Sequence, residues 1–133
     1  MIIAIDFDGT VVTHKYPEIG EDNGAIPVLR KLIDHGHKLV LCTMRSHPHG
    51  SMKRDTLQEA VDWLKERGIE LYGVNECPSQ CLWTGSPKPY ANLYIDDSAL
   101  GCPLHPDGSV DWDYVDAFFE FNGLYGKNTE STD

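Results

Sequence analysis

The sequence has no long apolar run. A helix that crosses a bilayer needs roughly 20 consecutive apolar residues, and nothing in these 133 residues approaches that. No membrane association is therefore expected. The opening MIIAIDFDGT lacks a basic leader, and only five apolar residues precede Asp6. That stretch reads as the first strand of a fold, not as a signal peptide, and the expected location is cytoplasmic. Basic charge is also scarce. Eleven Lys and Arg face 21 Asp and Glu, for a formal charge of −10. Such a field repels nucleic-acid backbones, and no basic stripe offsets it, so long nucleic acids are not expected partners. A bound cation would reverse the field locally, so the acidity does not exclude a catalyst. Cysteine is sparse, at four residues. Cys77 and Cys81 form a CPSQC pair, but no second cysteine pair or nearby histidine pair completes a zinc knuckle. Cys42 lies inside an apolar strand. Free thiols are expected at all four. No internal repeat is visible.

With 41% hydrophobic and 24% charged residues, the chain has the composition of a globular domain. Its length suits one domain with a real core, here expected over 1–125 with a flexible tail over 126–133. Apolar runs at Ile2–Ile5, Lys38–Cys42, Ile69–Val74 and Leu93–Ile95 predict strands. Gly101–Leu104 is a candidate fifth. Helical spacing appears over Gly24–His35, with Pro27 near the start and Gly36 past the end. It recurs over Met52–Arg67, where Leu57, Ala60, Val61 and Leu64 make one face, and over Asp111–Phe121, with Asp111 as cap and Trp112, Val115 and Phe119 facing inward. The exposed aromatics Tyr114, Phe118 and Phe121 of that last helix would suit a homodimer. Alternating strands and helices predict an α/β fold with a parallel, Rossmann-like sheet of about five strands between helical layers. Ligands bind such sheets beyond the carboxyl ends of the strands.

Those ends carry the chemistry. Strand one runs into Asp6-Phe7-Asp8-Gly9-Thr10. Positions i and i+2 of an extended chain point the same way, so Asp6 and Asp8 can share a crevice while Phe7 faces the body. Strand four ends in Asp96-Asp97. If strands one and four are neighbours, three or four carboxylates converge. Like charges so close need a proton or a cation, and an all-oxygen donor set suits Mg²⁺. A carboxylate can attack phosphorus, and a second acid can protonate the leaving oxygen and later activate water.

At these residues the chain resembles the haloacid dehalogenase-like (HAD) hydrolase superfamily. Its DxDGT motif matches Asp6–Thr10 directly after an apolar strand. The resemblance implies Asp6 as nucleophile and metal ligand and Asp8 as general acid and base, in the metal-bound set. LVLCT resembles the second motif, with Thr43 on the transferring phosphoryl group. Lys88, in SPKPYANLYIDD, resembles the lysine of the third motif. Lys65 and Arg67 occupy the alternative helix position, but Leu64 faces the core there. Asp96 matches the metal ligand of the fourth motif, with Asp97 supporting it. The four motifs run in family order over about residues 1–105. The two places where relatives insert a cap domain hold only Val11–Asn23 and Asn75–Pro87, so a capless, open site is implied, acting on a small or bulky phosphoester.

Arg45 has two readings: a bidentate grip on a substrate phosphate or carboxylate, or a pair with an acidic neighbour such as Asp97. His14, His47 and His49 lie in loops expected at the open face, and Tyr16 and Trp83 are candidate walls. The function expected is Mg²⁺-dependent phosphomonoester hydrolysis through an aspartyl phosphate. Alternatives are a sugar phosphotransferase or mutase, a nucleotidase or nucleic-acid 3′-phosphatase, and an inactive binding protein of the same fold.

Overall fold

A computed structural model describes residues 1–126. The flexible tail expected from residue 126 onward falls on 127–133, outside the described residues, apart from Gly126. Four strands form one parallel sheet: β1 (Ile2–Ile5), β2 (Lys38–Leu41), β3 (Gly73–Val74) and β4 (Leu93–Ile95). Their order is β3-β2-β1-β4. Ile3 pairs with Leu39 on one side and Leu93 on the other. β1 and β2 are buried because their apolar runs are covered by the helices α1 (Ala25–Asp34), α2 (Thr56–Glu66) and α3 (Trp112–Phe121). The result is a small α/β domain, Rossmann-like, with helices flanking a central parallel sheet. Among the described residues, no helix is long and apolar enough to cross a membrane.

The helices follow the apolar spacing. α1 buries Ile26, Leu29 and Leu32. Its open N–H groups are met by one side chain, Asp22, which accepts from Gly24 (3.0 Å) and Ala25 (3.0 Å). Pro27 sits in the first turn, where its missing N–H costs nothing. α3 buries Trp112, Val115 and Phe119, and Asp111 caps it by accepting from the Asp113 and Tyr114 N–H groups at 3.1 and 3.2 Å.

Two expected elements are shorter and one expected strand is missing. α2 starts at Thr56 instead of Met52, because Asp55 caps it through the Gln58 N–H (2.8 Å) and the residues before form a turn closed by His49 and Met52. The third strand shortens to two residues. Its flanks still bond the sheet, from Tyr72 N–H to Leu39 O (2.7 Å) and Asn75 N–H to Leu41 O (2.6 Å). The candidate fifth strand is absent. Leu104 bridges only Val110, and the backbone of 103–105 pairs with 109–111 in a local turn (His105 N–H to Ser109 O, 2.7 Å; Asp111 N–H to Pro103 O, 2.9 Å). Those bonds take the groups a ladder to β4 would need. Between β1 and α1 there is neither helix nor strand. Between β3 and β4 the elements are limited to a short 3-10 helix, Gln80–Leu82.

Candidate active site

β1 and β4 are neighbours, and their carboxyl ends deliver Asp6, Asp96 and Asp97 to one place. Each offers a carboxylate oxygen, and the three oxygens lie within 4.8 Å of one another. The Asp6 N–H donates to Ile95 O (3.0 Å), so the ladder itself sets the spacing. Thr10 joins the two strand ends. Its hydroxyl donates to Asp6 Oδ2 (3.1 Å) and accepts from the Asp97 N–H (3.1 Å), and the residue is fully buried. The Thr10 carbonyl is held in turn by Trp112 Nε1 (2.6 Å) and Asn23 Nδ2 (3.2 Å). Gly9 permits this turn. Its φ is 80°, and a Cβ there would lie 2.2 Å from the His14 ring and 2.6 Å from Asp97 Oδ2.

Electrostatics follow from the crowding. Burial pushes the Asp6 carboxyl up to about 8, helped by the Asp96 charge and the bond to Asp97, against the opposing Phe7 N–H and Thr10 hydroxyl. The Cys42 thiol, next along β2, is also raised, first by burial and then by the Asp6 and Asp96 charges, while Lys88 opposes. Hard oxygens alone, at this spacing, form a donor set of the kind that suits a divalent cation. Relief of the repulsion among them would favour its binding.

The crevice has a volume of about 500 Å³ and is lined by Asp6, Asp8, His14, Thr43, Asp96 and Ser98, with Tyr16 and Met44 on its walls. Thr43 lies just past β2, where its N–H donates to Asn75 Oδ1 (2.9 Å) and its Oγ1 accepts from the Arg45 N–H (3.1 Å). Asn75 holds a left-handed backbone (φ 56°), which Asn tolerates better than most residues.

Asp8 departs from the expected metal-bound set. Both of its oxygens face Arg45, at 2.8 Å from Nε and 2.8 Å from Nη2, and it does not belong to the Asp6–Asp96–Asp97 cluster. Arg45 is 2% exposed. Its remaining N–H groups donate to the carbonyls of Pro17 (3.3 Å), Thr56 (3.2 Å) and Glu18 (2.9 Å). All five donors are therefore used within the chain. Of its two readings, this geometry shows the pair with an acidic neighbour, and that neighbour is Asp8, not Asp97.

Lys88 is exposed and lies outside the crevice lining. Its ammonium sits 5.1 Å from the Tyr94 ring, beside a hollow of about 240 Å³ that Trp83 and Tyr90 also line. Trp83 thus belongs to that hollow and not to the crevice wall. Of the loop histidines, His14 reaches the crevice and meets Asp97 Oδ2 at 3.0 Å. His47 pairs with Asp55 (2.9 Å), and His49 sits in the turn with Met52. Cys77 is buried and Cys81 exposed in the loop that holds the 3-10 helix. Sequence reasoning did not single out Thr10 as the link between strand ends, nor Asn75 behind Thr43. The signal for Thr10 was its place four residues after Asp6 in the motif.

No family model matches the sequence, and no curated protein matches it. A solved structure does: that of a conserved protein from Bacteroides thetaiotaomicron. It is 34% identical, with 96% of this chain and 98% of that one covered, at a TM-score of 0.71. The chain belongs to the family of that protein.

Proposed function

We propose that this chain is a Mg²⁺-dependent phosphomonoesterase of the HAD-like type, with Asp6 as its nucleophile. The observation that carries the reading is the convergence of Asp6, Asp96 and Asp97 at the carboxyl ends of adjacent parallel strands, with their oxygens within 4.8 Å. Asp6, Asp96 and Asp97 would hold the cation, which supplies charge neutralisation and orientation for a phosphoryl group. An Asp6 oxygen attacks phosphorus, the bond to the leaving oxygen breaks, and an aspartyl phosphate forms. Asp8, protonated at a lone pair that Arg45 leaves open, gives the leaving oxygen its proton. It then takes a proton from the water that attacks the acyl phosphate, which returns Asp6 and releases phosphate. Thr43 lines the crevice, and its hydroxyl, which accepts from the Arg45 N–H, keeps its own proton to donate to a phosphoryl oxygen; its N–H is taken by Asn75. Lys88 is assigned to the phosphoryl group by the motif resemblance. The absence of a cap-sized insertion favours hydrolysis over transfer to a second substrate, since transfer requires water to be shut out.

Phosphate release from p-nitrophenyl phosphate with Mg²⁺ tests the reading. Chelation should abolish it, and Asp6→Asn should lower kcat by about 1000-fold or more. Full activity in Asp6→Asn, or no release by the wild type across sugar phosphates, nucleotides, phosphopeptides and 3′-phosphorylated oligonucleotides, would refute it.

A further inference from the structure

Arg45 is the most committed polar side chain of the described residues. Its guanidinium is 2% exposed, lies 5.2 Å from the Phe7 ring and 5.1 Å from the Tyr16 ring, and spends every donor inside the chain. Its partners come from three separate segments. Asp8 belongs to the turn after β1, Pro17 and Glu18 to the loop that carries the Tyr16 wall, and Thr56 to the first turn of α2. Arg45 itself follows Thr43, and its N–H holds the Thr43 hydroxyl at 3.1 Å.

The fork makes two parallel bonds to Asp8, which sets both the position and the plane of that carboxylate. A lysine in the same place would hold a point charge but not a plane. The three carbonyls prevent the guanidinium from turning toward a ligand without breaking bonds in a buried place.

We infer that Arg45 is a positioning residue for Asp8, fixing the carboxylate's orientation in the crevice and tying it to the Tyr16 loop and α2, and that it does not bind substrate. This rests on the reading of Asp8 as the acid and base of the proposed reaction.

The test compares wild type, Asp8→Asn, Arg45→Met, Arg45→Lys and the double variant Asp8→Asn/Arg45→Met, each assayed for phosphate release from p-nitrophenyl phosphate with saturating Mg²⁺. Arg45→Met should lower kcat by about 100-fold, the scale of a misplaced acid–base group, with KM changed by less than about threefold. Arg45→Lys should recover part of kcat. In the Asp8→Asn background, removing Arg45 should cost no more than about threefold further, because its effect passes through Asp8. The double variant leaves no charge unpaired in the buried site and serves where Arg45→Met alone does not fold; Asp8→Asn keeps three carbonyl acceptors for the guanidinium, and its thermal melt checks that it is folded before it is compared with the double variant. Two results would overturn the inference: a KM raised tenfold or more with kcat retained, which marks a substrate grip, or losses that multiply in the double variant. Failure of the proposed function is seen separately, as a wild type that releases no phosphate or an Asp6→Asn variant that still does.

Discussion

Asp6 and Thr10 show what single residues cost and return at this site. The native Asp6 carboxyl titrates near 8, against 3.8 for the ordinary group. Between those values the folded chain keeps a proton that the unfolded chain has lost. The associated stability is complete below pH 4 and disappears as pH rises through 8. Asn cannot ionise, so metal-free Asp6→Asn should melt higher than wild type, with the gap widening from pH 5 to pH 8.5. The gain comes from burial and the Asp96 charge acting on the carboxylate, and solvent access to the crevice reduces it. Thermal melts in chelator across that range check it, and a gap that shrinks with pH would contradict the electrostatic account. Thr10→Val keeps the shape but removes the hydroxyl. The Asp97 N–H loses its acceptor, so a loss of about 1–3 kcal/mol in denaturant melts is expected, with activity falling as the two strand ends part.

At the scale of elements, caps decide more than periodicity does. Asp111 was legible as the start of α3 because a short acid precedes an apolar stripe, and the two N–H bonds it accepts support that position. Asp111→Ala should cost about 1 kcal/mol, a fall of roughly 3–6 °C in melting temperature. α2 was less legible. Its apolar face at Leu57, Ala60 and Leu64 was plain, but that face does not say where the helix starts; the bond from Gln58 N–H to Asp55 and the turn closed by His49 and Met52 exclude the residues before Thr56. The fifth strand failed for a similar reason. Four residues of mild hydrophobicity do not say which backbone will pair with them, and here residues 109–111 do.

For the molecule as a whole, the charge of −10 and the Asp6–Asp96–Asp97 cluster pull in the same direction. A divalent cation should bind the folded chain and not the unfolded one. At about 100 times its dissociation constant, Mg²⁺ should stabilise by roughly 2.7 kcal/mol. Differential scanning calorimetry at pH 7.5 with and without Mg²⁺ would show it, and Asp96→Asn should remove most of the shift. An equal shift in Asp96→Asn would place the cation elsewhere.

The chain alone determined four strands and three helices, apart from their ends, and the acidic residues that follow the strands, because burial and capping leave a local pattern in the order of residues. It also placed Asp6 and Asp8 on one side, since that follows from the two-residue period of a strand. Only the tertiary structure decided that β4 lies beside β1, which joins residues some ninety positions apart. It alone gave Asp8 to Arg45 and left Asp6 with Asp96 and Asp97. Period tells which way a side chain points, but the partner it meets depends on segments that come from elsewhere in the chain: here the Tyr16 loop and the first turn of α2, whose carbonyls fix the guanidinium in place.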